Sequence, residues 1–184
     1  MNVDYNKAQQ ILHDSTILIK QEQIEKQITI LANLINENIG DNLPTFLTVM
    51  NGGMFFASKL LSQITKPFMM DYIHATRYQS KTFGLPQITW LKEPKKSLIE
   101  GRDVYIIDDI LDEGHTLHEI THYLHNLGAK SCKIIVLVEK ELNKAKPIHA
   151  DYVGLMVPNK YIFGYGMDIF ELYRQLPNIY IYNS

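Results

Sequence analysis

The amino-acid sequence predicts an α/β fold built on a mostly parallel, twisted sheet flanked by helices. Short apolar runs of strand length alternate with longer stretches whose apolar residues recur at helical spacing. This alternation is typical of β–α–β units, in which helices cover both faces of a parallel sheet. Neither an internal repeat nor a linker interrupts the 184 residues, so we expect residues 1–184 to form a single domain.

Apolar spacing predicts three helices. In residues 21–38, apolar side chains recur every three or four positions from Ile24 to Ile35, and a glycine follows shortly. Residues 54–64 and 116–127 show the same spacing, and the second of these stretches is also closed by a glycine.

The predicted strands lie between these helices. They are residues 45–50, 67–78, 87–91, 104–108, 133–138 and 152–157. Residues 80–86 are polar and turn-prone, so residues 87–91 are expected to pair back as a hairpin arm. The tail, residues 164–181, is expected to combine a short helical turn with aromatic, strand-like pieces.

Composition narrows the possible classes of function. A net charge of −2 argues against a protein that binds nucleic acid mainly through the phosphate backbone. Apolar runs are too short to span a bilayer, and the single cysteine, Cys132, cannot form an internal disulfide. We therefore expect a cytoplasmic protein with neither nucleic-acid nor membrane partners.

The most informative segment is residues 104–117, in which an apolar run ends in the adjacent acids Asp108 and Asp109. Ligands of doubly wound sheets bind beyond the carboxyl ends of the strands. Two bare neighbouring carboxylates repel each other, but a vicinal diol, or a hydrated cation, would satisfy both. A ribose offers such a diol, and Asp112 is close enough in sequence to act as a general base.

A glycine turn follows the acids and leads into a helix. The free amides of Glu113, Gly114, His115 and Thr116, together with the helix dipole, predict an anion site. Ribose beside phosphate indicates a ribose 5-phosphate ligand. The alternative, an ordinary helix entry capped by Asp or Thr, explains one acid and the glycine but leaves the adjacent acids unexplained.

Residues 104–117 resemble the phosphoribosyl pyrophosphate motif of type I phosphoribosyltransferases. The resemblance implies that Asp108 and Asp109 bind the ribose hydroxyls and a metal, that Asp112 is the acid/base, and that the amides of residues 113–116 hold the 5-phosphate. It also implies the type I phosphoribosyltransferase fold, with a small hood formed by the terminal segments.

A second segment, Met50, Asn51, Gly52 and Gly53, resembles the pyrophosphate loop of the hypoxanthine-guanine branch of this family. Two glycines let the backbone approach an anion, and a predicted helix begins at once. The resemblance implies a cis peptide bond between Met50 and Asn51. Taken alone, two glycines after a strand are also typical of a tight turn.

The resemblance extends to a purine pocket in residues 158–168. It implies that Tyr161 stacks on the base, that the backbone of Ile162 meets the base edge, and that Asp168 holds Mg²⁺ through water. Lys140 would donate to the 6-oxo group, and Arg174 would bind pyrophosphate. Without the resemblance, the aromatic residues would be assigned to the core, and Lys140 and Arg174 to the surface.

The resemblance places the start of a flexible lid at Arg77 and Tyr78, followed by the small and polar residues 80–84. Many relatives carry Ser-Tyr here, so Arg77 is a departure that affects how the lid would touch the reactants. An ordinary hairpin loop would have a similar composition.

One further motif is typical of a different class of enzyme. His118, Glu119 and His122 match the His-Glu-x-x-His signature of zinc proteases, and His125 lies nearby. The apolar residues of the same predicted helix mark its core face, so these histidines are expected to face solvent. We therefore interpret the match as chance.

Together these segments predict an enzyme that uses Mg²⁺ and transfers phosphoribosyl from phosphoribosyl pyrophosphate to hypoxanthine or guanine. Two alternatives remain open: a transferase that prefers xanthine, and a regulatory module that keeps the fold and binds nucleic acid. Asp112, Lys140, Asp168 and Arg174 favour the enzyme. The resemblance also implies a homodimer or homotetramer, with isologous pairing as the default.

Overall fold

The computed structural model describes residues 3–78 and 87–183. Its α-helices are α1 (Tyr5–His13), α2 (Gln21–Asn38), α3 (Met54–Leu61) and α4 (His115–Asn126). Its strands are β1 (Ser15–Ile19), β2 (Thr45–Met50), β3 (Met69–Tyr78), β4 (Gln87–Lys92), β5 (Asp103–Leu111), β6 (Ser131–Glu141), β7 (Tyr152–Pro158), β8 (Ile162–Phe163) and β9 (Ile179–Tyr182).

Six strands form the main sheet, in the order β4-β3-β2-β5-β6-β7. All neighbours in it are parallel except β4, which pairs antiparallel with β3 as the predicted hairpin arm. Two buried clusters cover the sheet: one holds α2 and α3, and the other holds α4. The expected mostly parallel sheet flanked by helices is therefore confirmed.

A smaller antiparallel sheet, in the order β1-β9-β8, joins the two ends of the described chain. Helix α1 packs on it through Ile11, which belongs to a third buried cluster with Phe163 and Ile169. The hood expected from the terminal segments is thus present. Its α1 and β1 were not predicted. α1 is short, but it has a clear start signal: the Asp4 side chain accepts a hydrogen bond of 2.8 Å from the Lys7 amide.

Several boundaries differ from the sequence prediction. Helix α3 ends at Leu61, three residues early, because a turn brings the Gln63 amide to the Leu60 carbonyl. Strand β5 continues past Asp108 to Leu111, since residues 108, 110 and 111 keep their pairing with β6.

The helical turn predicted within residues 164–181 is wrong. This segment contains tight turns with positive φ at Tyr165, Phe170, Glu171 and Tyr173. Reciprocal hydrogen bonds between the backbones of Ile169 and Leu172 replace the i to i+4 ladder of a helix. Within the part of the chain that the structure describes, no helix has the length and apolar character needed to cross a membrane.

Candidate active site

The candidate site lies where the direction of winding of the main sheet reverses. From β2 the chain moves outward to β3, whereas from the neighbouring β5 it moves the other way to β6. Such a switch point opens a crevice at the carboxyl ends of the strands. The loops after β2 and β5, which carry the two motifs singled out in the sequence, meet at this crevice.

A cleft of about 420 Å³ occupies the crevice. Most of the predicted site residues line it: Met50, Asn51, Gly52, Asp108, Asp109, Asp112, Thr116, Lys140, Tyr161, Ile162, Asp168 and Arg174. A second cavity of about 290 Å³ adjoins it and is lined by Glu113, Gly114 and His115, among other residues of the loop after β5. Gly53 is buried directly behind the cleft. The structure therefore gathers residues that are far apart in sequence into one site.

Asp108 and Asp109, called here the acidic pair, are both buried, with exposed fractions of 9% and 6%. The Asp109 amide donates a hydrogen bond of 2.9 Å to the Asp108 carboxylate. Burial and the neighbouring Asp109 carboxylate raise the pKa of Asp108 well above its usual range. Burial also raises the pKa of Asp109. Hydroxyl groups or a cation at the acidic pair would offset this cost of burying two adjacent carboxylates.

The loop after β2 packs against the acidic pair. The peptide bond between Met50 and Asn51 is cis, as the resemblance implies. A side chain at Gly52 would overlap the Asp109 carboxylate, and one at Gly166 would overlap the Gly52 carbonyl. Glycine is required at both positions, because only bare backbone lets the loop, the acidic pair and the hood approach so closely.

The loop after β5 turns sharply into α4. Gly114 adopts a φ of 85°, which favours glycine, and the amides that open a helix have no carbonyl partner within it. Glu113 forms an ion pair of 2.5 Å with Lys144. This pair neutralises an acid that would otherwise repel an anion in the adjoining cavity.

Asp112 and Lys140 pair directly across the cleft. The Lys140 ammonium donates to Asp112 Oδ2 over 2.7 Å, and the Lys140 side chain is only 12% exposed. The predicted acid/base and the predicted purine anchor are therefore close enough to touch the same planar ring.

Asp168 and Arg174 form a second ion pair, with 2.6 Å between Oδ1 and the guanidinium. Arg174 also donates to the Gly166 carbonyl over 2.7 Å, and Asp168 accepts from the Glu171 amide over 2.8 Å. Both side chains remain partly exposed. Tyr161 is half-exposed, and its hydroxyl donates to the Asp168 carbonyl over 3.4 Å.

The donor set at the cleft suits Mg²⁺ that is shared with a phosphorylated ligand. Among residues 3–78 and 87–183, no three His, Cys, Asp or Glu side chains are grouped so that they could hold a metal ion. Mg²⁺ commonly keeps several waters and binds one or two carboxylates plus substrate phosphates. The acidic pair and Asp168 provide carboxylates of this kind.

The histidines of the zinc-protease match lie on the exposed side of α4, as predicted. The core face of this helix consists instead of Leu117, Ile120 and Leu124. The expected orientation of His118, His122 and His125 is confirmed, and it points them away from the buried core.

The structure describes only the first part of the predicted lid. Arg77 and Tyr78 end β3. Residues 80–84 lie outside the described residues, as do the side chains of Arg77 and Tyr78.

The sequence prediction missed several residues of the site. Ala75, Ile110 and Met167 line the cleft, but as apolar residues in or beside strands they carry no functional signal. Lys146 was also missed; it lies beside the Asp112–Lys140 pair with its side chain 7% exposed. A lysine in a polar loop normally indicates a solvated surface, so nothing in its sequence context marks it.

Comparison with known proteins identifies phosphoribosyltransferases as relatives of this chain. A family model described as "Phosphoribosyl transferase domain" matches residues 14–169. A hypoxanthine-guanine phosphoribosyltransferase of Bacillus subtilis is 34% identical over 168 residues, covering 91% of this chain and 93% of that protein. A hypoxanthine-guanine-xanthine phosphoribosyltransferase of Tritrichomonas foetus is 36% identical over 164 residues, covering 89% and 88%.

The fold is also similar to that of solved phosphoribosyltransferase structures. The crystal structure of a hypoxanthine phosphoribosyltransferase from Staphylococcus aureus matches with a TM-score of 0.86 at 29% identity. The match covers 98% of this chain and 97% of that one.

Burial of the acidic pair is expected to lower the stability of the wild-type protein. Replacing Asp108 with Asn keeps the acceptor for the Asp109 amide but removes one of two buried, adjacent carboxylates. We expect the variant to be more stable than the wild type at pH 7, on the order of 1 kcal/mol, or about 2–4 °C in Tm for a domain of this size. Urea denaturation and thermal unfolding measure this gain.

The pH dependence of this gain follows from the raised pKa. Between the ordinary value of 3.8 and the raised value, the folded protein binds more protons than the unfolded chain, so wild-type stability falls as pH rises. The difference in free energy of unfolding between D108N and wild type should therefore be largest near neutral pH and should shrink as the pH falls towards 4. Asp41→Asn, at a fully exposed acid, is the matched control. A D108N variant less stable than wild type at pH 7 would contradict the account.

Proposed function

The chain belongs to the phosphoribosyl transferase family, and from that premise we propose that it is a purine salvage enzyme. It would transfer phosphoribosyl from phosphoribosyl pyrophosphate to hypoxanthine or guanine, giving IMP or GMP and pyrophosphate. One observation carries the proposal: a single cleft holds the buried acidic pair and, facing it, the Asp112–Lys140 ion pair. The first suits a pentose and the second a 6-oxopurine.

The acidic pair would bind the ribose. Its 2- and 3-hydroxyl groups can donate to Asp108 and Asp109, which raises the fraction of these buried acids that is ionised. Their negative charge would then stabilise the oxocarbenium character that develops at the anomeric carbon. The amides of Glu113, Gly114, His115 and Thr116 would hold the 5-phosphate in the adjoining cavity.

The loop after β2 and Arg174 would bind the leaving pyrophosphate. Residues 50–53 offer backbone amides at an edge where glycine allows close approach. Arg174 is fixed through the Gly166 carbonyl, so its guanidinium could exchange the Asp168 carboxylate for pyrophosphate oxygens with little movement.

The purine would lie between the hood and the Asp112–Lys140 pair. Tyr161 would stack on the ring, the Ile162 backbone would meet its edge, and Asp168 would approach the 2-position. Lys140 would donate to the 6-oxo oxygen. As the bond from the purine nitrogen to the anomeric carbon forms and the bond to pyrophosphate breaks, Asp112 would accept the proton from the imidazole side of the ring.

The acidic pair and Asp168 would hold Mg²⁺ directly or through water, and the ion would neutralise charge on the departing pyrophosphate. Arg77 and Tyr78 would begin a lid that excludes water, because hydrolysis competes with transfer. We also propose that residues 1–184 act as a single domain in the cytoplasm, on small-molecule substrates rather than nucleic acid or membrane, as an isologous dimer or tetramer.

A xanthine-using enzyme is the second candidate, because the Tritrichomonas foetus relative is named for xanthine as well as hypoxanthine and guanine. A spectrophotometric panel with phosphoribosyl pyrophosphate, Mg²⁺ and each of hypoxanthine, guanine, xanthine and adenine tests the proposal. We expect turnover with hypoxanthine and guanine, and none with adenine, whose 6-amino group cannot accept from Lys140. Absence of turnover with every oxopurine would refute the proposed function.

Asp112→Asn removes the proton acceptor and keeps the shape of the side chain. We expect kcat to fall by roughly 10²-fold or more, because general base catalysis typically contributes 10²–10⁴-fold. Binding of phosphoribosyl pyrophosphate, measured by calorimetry, should stay close to the wild-type value. Asp41→Asn again serves as the control, and an unchanged kcat would remove Asp112 from the chemistry.

Lys140→Ala removes the donor to the 6-oxo group. We expect the KM for hypoxanthine to rise by about ten-fold or more, the effect of losing one charge-assisted hydrogen bond of about 1.5–3 kcal/mol. Lys26→Ala, at an exposed lysine on α2, is the control. If steady-state kinetics showed the same purine KM in K140A and wild type, the assignment of Lys140 would be wrong.

A further inference from the structure

A buried lysine sits behind the active site without touching the cleft. Lys146 lies in the connection between β6 and β7, and its ammonium contacts three oxygen atoms. It donates to the Lys140 carbonyl over 2.7 Å, to Glu139 Oε1 over 2.9 Å and to the Leu111 carbonyl over 3.3 Å. An ammonium has three protons to donate, so all of its donors are used.

These contacts fall where the neighbouring strands β5 and β6 separate. Leu111 on β5 and Glu139 on β6 form the last pair between these two strands. The next residues along the chain are Asp112 and Lys140, which form the ion pair that would face the purine. The Lys146 ammonium thus holds the backbone immediately before Asp112 and at Lys140 itself.

The surroundings fix the lysine in place. The side chains of Lys146 and Glu139 are only 7% and 16% exposed, so their ion pair is well shielded from water. Buried charges persist in proteins when they are paired and hydrogen-bonded, as these are. Pro147 and Ile148 follow, and their side chains lie close behind Gly114. The segment after β6 is therefore packed against the loop after β5.

We propose that Lys146 is a positioning residue for the purine: it sets the distance between Asp112 and Lys140 by holding the ends of β5 and β6 together. The inference rests on the proposed function. Both Asp112 and Lys140 must meet the same rigid ring, and an error of about 1 Å in such a geometry can cost 10²-fold in rate. A lysine that only stabilised the fold would affect the amount of active enzyme but not its affinity for the purine.

Two variants test this role. Lys146→Met keeps the length of the side chain and removes the charge. Because it leaves Glu139 buried without its partner, the double variant Glu139→Gln with Lys146→Met removes both charges and keeps the test available if the single variant fails to fold. The control is Lys130→Met, which removes a lysine that pairs with Asp103 at the opposite end of the same two strands.

Wild type and each variant are compared for turnover, for the KM of hypoxanthine and for calorimetric binding of phosphoribosyl pyrophosphate with Mg²⁺. We expect the purine KM to rise roughly ten-fold in the Lys146 variants. Binding of phosphoribosyl pyrophosphate should change less than about two-fold, because the acidic pair lies within the paired part of β5. Lys130→Met should match wild type in both quantities.

The outcomes separate the two proposals. Wild-type protein without turnover on any oxopurine would overturn the proposed function itself. Active wild type, with a purine KM that is unchanged in a folded Lys146 variant, would overturn only the positioning role. Equal loss of affinity for both substrates would also overturn it, since that pattern reports general disruption of the cleft.

Discussion

The site depends on one electrostatic constraint: two adjacent carboxylates are buried near the carboxyl end of a central strand. Asp108 and Asp109 lie at the switch point of the sheet, where burial and their mutual repulsion raise the pKa of Asp108. Burial of this kind costs stability in the protein alone and is offset when a polyhydroxyl ligand or a cation arrives. The rest of the local architecture serves this pair. Gly52 and Gly166 let two further segments approach it, and the positive charge of Arg174 partly offsets the rise in the pKa of Asp109 that burial causes.

The other charged groups of the cleft are paired with one another. Lys140 holds Asp112, and Arg174 holds Asp168. Each pair joins a group assigned to the purine or to Mg²⁺ with a group of opposite charge. In the proposed reaction, pyrophosphate oxygens would replace Asp168 on Arg174, and the 6-oxo oxygen of the purine would replace Asp112 on Lys140, so both cations keep an acceptor during binding. Such exchange keeps the net cost of desolvation low and leaves the side chains oriented before the ligands enter.

Much of this arrangement could be predicted from the sequence, because the motifs are continuous. Residues 104–117 place the acidic pair, Asp112 and the helix start in one stretch, and the apolar spacing of residues 21–38 fixes α2 at the bounds that the structure has. Long-range pairing could not be predicted. The helical turn expected in the tail fails because Tyr165, Phe170, Glu171 and Tyr173 adopt positive φ, for which these residue types give no signal. Lys146 is indistinguishable in sequence from the exposed Lys144, since its burial depends on β5 and β6 meeting beside it.

The small sheet of the hood has a consequence for the order in which the molecule is completed during synthesis. Its middle strand, β9, is the last strand that the structure describes, and it pairs on one side with β1 and on the other with β8. The residues that would hold the ribose and its 5-phosphate lie on β5 and in the loop after it, so they are synthesised earlier. Ile162, at the base edge, lies in a strand whose neighbour is β9. The ribose-binding part of the main sheet is therefore synthesised before β9, and the strand at the base edge gains this neighbour only once β9 has been made.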